Sequence, residues 1–228
     1  MNITAKLQQL ADAQYRDFQA KLIPIINKSH ILGVRTPVLR RFAKDLWRHH
    51  QADAEQFLAQ LPHQYYDENN LHAFLIEQAG DLGRTLELTE QFLPFVDNWA
   101  TCDSFTPPVF KRYPEEIYSK IQTWLRSDCV YTVRYGMGLL LSNFLDEQFQ
   151  PVMIKQVMSA KSGEYYIQMM QAWYLATALV KQFDATLPYF ESKQLPTFVH
   201  NKAIQKAIES RRISPELKQY LRGLKISR

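Results

Sequence analysis

Residues 97–105, with the sequence DNWATCDSF, place a tryptophan and an aspartate four residues apart. If the segment is helical, one turn separates Trp99 from Asp103, so an aromatic plane and a carboxylate share one face. Both side chains then point at a common neighbour, which is either a ligand or the protein core. One alternative stays open: Asp103 precedes Ser104 and two prolines, and as a turn or N-cap residue it would not share the face of Trp99.

Two further residues stand out within apolar helical segments. Arg134 lies early in VYTVRYGMGLLLSNFL, and Trp173 lies in YYIQMMQAWYLATALV. An arginine among apolar residues lies at a helix edge, on a functional face, or in the interior with a partner. Trp173, like Trp99, is either a core residue or a ligand contact. If the helices stack as repeats, all four residues are expected on one concave strip.

Several other chemistries find no support in the sequence. HExxH, GxxxxGK[ST], GxSxG and EF-hand patterns are absent. The six histidines are scattered, and the pair His49-His50 is expected at a solvated helix end rather than in a metal site. Cys102 and Cys129 form no CxxC motif, which favours a reduced, cytoplasmic chain. The sequence contains no run of about 18 apolar residues without a charge, so no membrane span is expected.

The elements that carry these residues are predicted to be helices throughout. TPVLRRFAKDLWRHH and HAFLIEQAGDL repeat their apolar residues every three to four positions, and no segment alternates convincingly with period two. Thr36 is expected to cap the first of these helices, with Pro37 in its first turn. The fold class is therefore predicted to be all-α.

A weak repeat organises the predicted helices. Tyr66, Tyr131 and Tyr166 each open an apolar helix and stand 65 and 35 residues apart, near two units and one unit of about 33 residues. Helix pairs of that period stack into an α-solenoid with a concave binding side. With no linker or change of composition in the chain, a single domain is expected over residues 1–228.

The charge is mildly basic and uneven. The formal net charge is +4, and eight of the lysines and arginines lie in residues 202–228 against two acids. Residues 28–48 hold six more against Asp45 alone. Two basic ends around a more acidic middle suit a cupped surface that holds a polyanion, although solvated helix faces explain the charge equally well.

Together, ILGVRTPVLRRFAKDL, DNWATCDSF, YTVRYGMGLLL, YYIQMMQAWYLATALVK and HNKAIQKAIESRRI resemble the AlkD-like DNA alkylation repair proteins, the HEAT-like-repeat DNA glycosylases. The resemblance covers residues from about 15 to 225. It implies an all-α solenoid, expected to be monomeric, that holds duplex DNA in a basic groove. It also implies excision of N3- and N7-alkylated purines, such as 3-methyladenine and 7-methylguanine, in base excision repair without a metal or organic cofactor.

The resemblance also implies residue roles. The family's two tryptophans, aspartate and arginine fall on Trp99, Trp173, Asp103 and Arg134. Asp103 would stabilise the oxocarbenium-like sugar and orient the attacking water, and the indoles would hold the deoxyribose. Arg134 would clamp a phosphate near the lesion. Further DNA contacts are expected from two groups in the flanking helices: Arg35, Thr36, Arg40 and Lys44 at one end, and Lys202, Lys206 and Arg211 at the other.

Two features depart from the family pattern. Pro24 interrupts AKLIPIINKSH, where active relatives carry an aromatic residue in an N-terminal helix, and YLATALVK after Trp173 lacks a basic residue for a full turn or more. A glycosylase is the first prediction. A DNA-binding paralogue without base excision and a protein–protein scaffold stay open as alternatives.

Overall fold

The structure is a computed structural model that describes residues 1–160 and 163–227. Within those residues the chain forms α-helices and short 3-10 helices, with no β-strand. Helices packed in sequence-adjacent pairs confirm the predicted all-α fold class of helical-repeat type. None of the described helices is long and apolar enough to cross a membrane.

The chain divides into two compact units, Met1–Tyr113 and Pro114–Arg228. The single domain over residues 1–228 stays a prediction. The helices of the first unit are α1 Ile3–Gln9, α2 Ala13–Leu22, α3 Thr36–His49, α4 Gln51–Leu58, α5 Tyr66–Ile76, α6 Leu82–Phe92 and α7 Trp99–Asp103. The helices of the second unit are α8 Pro114–Trp124, α9 Val130–Asn143, α10 Val152–Ser159, α11 Tyr165–Lys181, α12 Phe183–Glu191, α13 Thr197–Glu209 and α14 Pro215–Gly223.

Helix α5 is the centre of the first unit. All eleven of its residues are buried, and it contacts α1, α3, α4, α6 and α7. The helix begins at Tyr66, as the tyrosine repeat predicts, and stops at Ile76, so the predicted segment HAFLIEQAGDL extends too far at its C-terminal end. Gly80 then turns the chain with a positive φ of 73°, and the Asp81 side chain accepts the N–H of Arg84 to start α6.

Helix α3 follows its predicted amphipathic pattern. Leu39, Ala43 and Leu46 are buried, and Pro37 lies in the first turn as expected. The predicted cap is wrong: the carbonyl of Arg35 already accepts the N–H groups of Val38 and Leu39, so Arg35 is the N-cap and Thr36 is the first helical residue. The Thr36 hydroxyl lies instead 3.3 Å from that of Tyr15.

A buried carboxylate holds the loop ahead of α3. Asp67 is 1% exposed and accepts the backbone N–H groups of Leu32, Gly33 and Val34. Gly33 has a φ of 91°, and a Cβ there would lie 2.5 Å from the carbonyl oxygen of Asp12. Only glycine fits that approach, which accounts for the ILGV sequence at this point.

Three long helices form the core of the second unit. Helix α11 packs against both α9 and α13, while α8, α12 and α14 pack on α9, α11 and α13 respectively. Tyr131 and Tyr166 lie in the first turns of α9 and α11, as Tyr66 does in α5. Gly136 lies against Trp124 and Leu125, where a Cβ would come within 3.4 Å of the leucine, so this helical glycine serves close packing.

Candidate functional site

Trp99 and Asp103 are the first and last residues of α7, and both side chains are half-buried. Asn98 is the N-cap, and its side-chain oxygen accepts the N–H of Thr101 at 2.9 Å. The N-cap interpretation of Asp103 was therefore wrong, and the predicted spacing of one helical turn is confirmed. Trp99 packs part of its surface on a buried cluster of Ile23, Ile31 and Tyr66. The structure thus brings an indole and a carboxylate together on one short helix.

Buried amides hold the beginning of α7. Asn98 is fully buried, and its side-chain nitrogen donates to the Asp97 carboxylate at 2.8 Å and to the Thr101 hydroxyl at 3.0 Å. That hydroxyl donates in turn to the side-chain oxygen of Asn70 at 2.8 Å. Because Asn70 belongs to α5, the first turn of α7 is tied to the centre of the unit.

An ion pair lies at the end of α7. Arg40 pairs with Glu77, and its second guanidinium nitrogen donates to the carbonyl of Ser104 at 2.7 Å. Its guanidinium carbon lies 3.9 Å from the centre of the Phe74 ring. Glu77 also accepts the backbone N–H of Thr106 at 2.9 Å. Burial raises the pKa of the Glu77 carboxyl, while the Thr106 amide and Arg40 act in the opposite direction.

A cleft in the second unit contains Trp173. The indole is 40% exposed, which makes the core interpretation of this tryptophan wrong. The cleft has a volume of about 320 Å³ and lies between α11 and the end of α13, where Lys206, Glu209 and Arg212 line it. An exposed aromatic ring beside two cations fits an anionic ligand with apolar surface.

Arg134 lies in the interior of the second unit. It is 5% exposed, and its Nη1 donates to the carbonyl of Tyr166 at 2.6 Å. The partner that a buried arginine requires is therefore present, and it links α9 to the first turn of α11. The predicted phosphate contact of Arg134 stays a prediction, as does the convergence of the four residues on one strip, because Trp99 and Asp103 belong to the other unit.

The chain matches a known protein family over nearly its whole length. A family model described as DNA alkylation repair enzyme matches residues 3–207. The chain belongs to this family. The resemblance found in the sequence motifs is confirmed, and membership makes DNA alkylation repair the setting of the protein and DNA its partner. No curated protein matches the sequence at a significant level.

For a DNA alkylation repair enzyme, the exposed cations are the candidates for phosphate contacts. Lys44 is exposed on α3 and forms no ion pair within the described residues. Arg35 is exposed but pairs with Asp12 at 2.8 Å and lies over the Tyr15 ring. In the second unit, Lys202 and Lys206 are half-buried on α13 and Arg211 is exposed just after it. Arg228, which contributed to the basic end, lies outside the described residues.

Four residues of these sites were missed in the sequence. Asn98 directly precedes a helix, so N-cap preference alone could have identified it. Asn70 and Glu77 carried no such signal, because their partners are 31 and 29 residues away along the chain. Arg212 was passed over in favour of its neighbour Arg211. The described residues contain no group of three histidine, cysteine, aspartate or glutamate side chains arranged to hold a metal ion.

Proposed function

We propose that this protein is a monofunctional DNA glycosylase that excises N3- and N7-alkylated purines, including 3-methyladenine and 7-methylguanine, from duplex DNA. One observation carries the proposal: in a DNA alkylation repair family, a carboxylate and an indole lie one turn apart on a helix that is held at both ends. Both side chains are half-buried and keep some exposed surface that a ligand could contact.

Excision of an alkylated purine mainly requires that the enzyme stabilise the positive charge that develops on the deoxyribose. Alkylation at N3 or N7 places a positive charge on the purine, so the bond from C1′ to the base breaks with its electron pair going to a neutral leaving base. The deoxyribose becomes oxocarbenium-like. The Asp103 carboxylate stabilises that positive charge, and the Trp99 face attracts the polarised C–H groups of the sugar. A water oxygen then bonds to C1′, and its proton passes to Asp103 or to solvent.

Binding to the phosphate backbone is supported in each unit separately. In the first, Arg41, Lys44 and Arg48 follow one another along the exposed side of α3. In the second, Trp173 shares its cleft with Lys206 and Arg212. Cations of this kind bind phosphates without sequence preference, which suits an enzyme that must find damage anywhere in a duplex.

A DNA-binding protein without base excision is the second candidate, and two observations favour it. Helix α2 ends at Leu22, ahead of Pro24, where relatives that are active carry an aromatic residue in a helix. Arg134, the expected phosphate clamp, is engaged inside the second unit.

Release of 7-methylguanine and 3-methyladenine from methylated duplex DNA distinguishes the two candidates. We expect free base to be released, with the abasic strand left intact. Binding without release would leave the second candidate. Salt dependence tests DNA binding itself: affinity should fall by about one power of salt concentration for each phosphate contacted. A DNA affinity that does not change with salt concentration would point to a protein–protein scaffold and contradict both candidates.

A further inference from the structure

We infer that Arg40 and Glu77 are positioning residues that fix the end of α7 and thereby the Asp103 carboxylate. The inference rests on the proposed function only in taking Asp103 as the reacting carboxylate. It changes the role of Arg40, which the sequence predicts to be a DNA contact.

Helix α7 needs support from outside itself. It has five residues, and isolated helices shorter than about 12 residues are marginal in water. The last carbonyls of any helix lack partners within it. Asp103 is the final residue of α7, so the position of its carboxylate depends directly on what holds the backbone that follows.

That backbone is held on both sides of Phe105. The carbonyl of Ser104 accepts from Arg40, and the amide of Thr106 donates to Glu77. Arg40 and Glu77 also pair with each other, so one ion pair forms hydrogen bonds to both the Ser104 carbonyl and the Thr106 amide. Phe105, between them, is 1% exposed and anchors the same turn in the core.

The ion pair is itself fixed. The Glu77 side chain is 9% exposed and directly follows α5, while Arg40 belongs to α3, which packs on α5. The guanidinium lies over the Phe74 ring, which limits its rotation. A guanidinium donates from two nitrogens in one plane, so Arg40 reaches Glu77 and Ser104 at once; a lysine ammonium lacks this fork.

Helix α5 supplies the support at both ends of α7. Asn70 holds the first turn through Thr101, and Glu77 holds the end. The two residues are seven positions apart, about two helical turns, with Asn70 inside α5 and Glu77 as the residue that caps its end. Because α5 is buried along its length, α7 is bonded to a buried element of the unit.

The test uses the full chain with Arg40→Met, which keeps an unbranched stem over Phe74 but removes the fork, and Arg40→Lys. Arg84→Ala is the matched control, since Arg84 also bonds two carboxylates in the first unit, those of Glu55 and Glu87, without contacting α7. Three quantities are measured for each: amide hydrogen exchange over residues 97–106, the dissociation constant for methylated duplex DNA, and the single-turnover excision rate with enzyme in excess.

For Arg40→Met we expect amide exchange after Thr101 to accelerate by about tenfold or more, the effect of losing a charged hydrogen bond. The single-turnover rate should fall by a similar factor, while the dissociation constant changes by less than about threefold. Arg40→Lys should fall between Arg40→Met and the wild type in both rate and exchange. Arg84→Ala should match the wild type in exchange over this segment and in excision rate.

Two results overturn the inference. One is exchange over residues 97–106 in Arg40→Met that equals that of Arg84→Ala. The other is weakened DNA binding with an unchanged rate at saturation, which makes Arg40 a DNA contact. If the wild type releases no base at all, the proposed function fails, and the exchange measurement still decides whether Arg40 positions α7.

Discussion

At the scale of single residues, two tryptophans of the second unit differ in how far they are exposed to solvent. Trp173 is 40% exposed beside Lys206 and Arg212, whereas Trp124 is 5% exposed and packs against Tyr135. The exposed ring is available to DNA, and the buried ring contributes mainly to stability.

Trp173→Ala is expected to lower the free energy of unfolding by about 1–2 kcal/mol, because the indole is 40% exposed and only its remaining surface packs on the protein. DNA affinity should fall by roughly 1 kcal/mol or more as an aromatic contact is lost. Denaturant unfolding and DNA titration measure the two effects. Trp124→Ala is the control and should destabilise by about 3–5 kcal/mol. An unchanged affinity of Trp173→Ala would remove the cleft from the binding surface.

Residue types and local spacing predicted part of the site and no more. Trp99 and Asp103 could be placed on one face because their relation is local to a single turn. Arg40 was predicted to be a DNA contact, and its bonds to Glu77 and Ser104 could not be foreseen because those partners lie 37 and 64 residues further along the chain. Burial of Arg134 was one of the alternatives left open, and the sequence could not select it because the partner is a carbonyl of the following long helix.

At the scale of elements, α5 and the loop of residues 31–34 depend on one buried carboxylate. Asp67 accepts three backbone N–H groups, at 2.7 Å from Leu32, 3.2 Å from Gly33 and 2.6 Å from Val34. Burial raises the pKa of Asp67, while these amides oppose the shift. The carboxylate fixes how the chain enters α3, and with it the place of Arg40.

Asp67→Ala is expected to lower the free energy of unfolding by about 3 kcal/mol or more, because each buried donor left unsatisfied costs about 1–3 kcal/mol. Asp17→Ala, which removes an exposed carboxylate paired with Lys28, should cost much less, because an exposed ion pair contributes little to stability. Denaturant titration of both variants makes the comparison. Equal losses in the two variants would show that the Asp67 hydrogen bonds stabilise the fold no more than an exposed ion pair does.

The sequence predicted helices best where one face of the helix is exposed to water and the other is buried. Helix α3 has a buried stripe and an exposed basic stripe, so its apolar spacing identified it and nearly its full extent. Helix α5 is buried all round, and its polar Asp67, Asn69 and Asn70 are buried with it. Periodicity carries little signal in such a helix, which is why its end at Ile76 was misplaced although Tyr66 marked its beginning.

At the scale of the whole molecule, we expect stability in acid to depend on a histidine pair in the first unit. His63 Nε2 lies 2.9 Å from His72 Nδ1, and His72 stacks on Phe92 with ring centres 4.3 Å apart. Burial lowers the pKa of His63 from 6.5 to about 4, against an opposing effect of Glu68. Burial, and then the neighbouring His63, lowers the pKa of His72 further.

Both histidines bind protons more readily in the unfolded chain, so the free energy of unfolding should fall as pH drops from 6.5 toward about 4. Each contributes a slope of at most about 1.4 kcal/mol per pH unit, and less for the partly exposed His63. His63→Gln should flatten this slope, and denaturant unfolding at a series of pH values measures it. A slope unaffected by His63→Gln would contradict the burial argument.

Asp103→Asn tests the central claim most directly, since it removes the charge and keeps the shape of the side chain. The measurement is the single-turnover release of 7-methylguanine from methylated duplex DNA with enzyme in excess, alongside the dissociation constant for the same DNA. We predict a rate reduced by roughly a hundredfold or more, with affinity retained. Release at the wild-type rate would show that the Asp103 carboxylate does not stabilise the departing sugar cation.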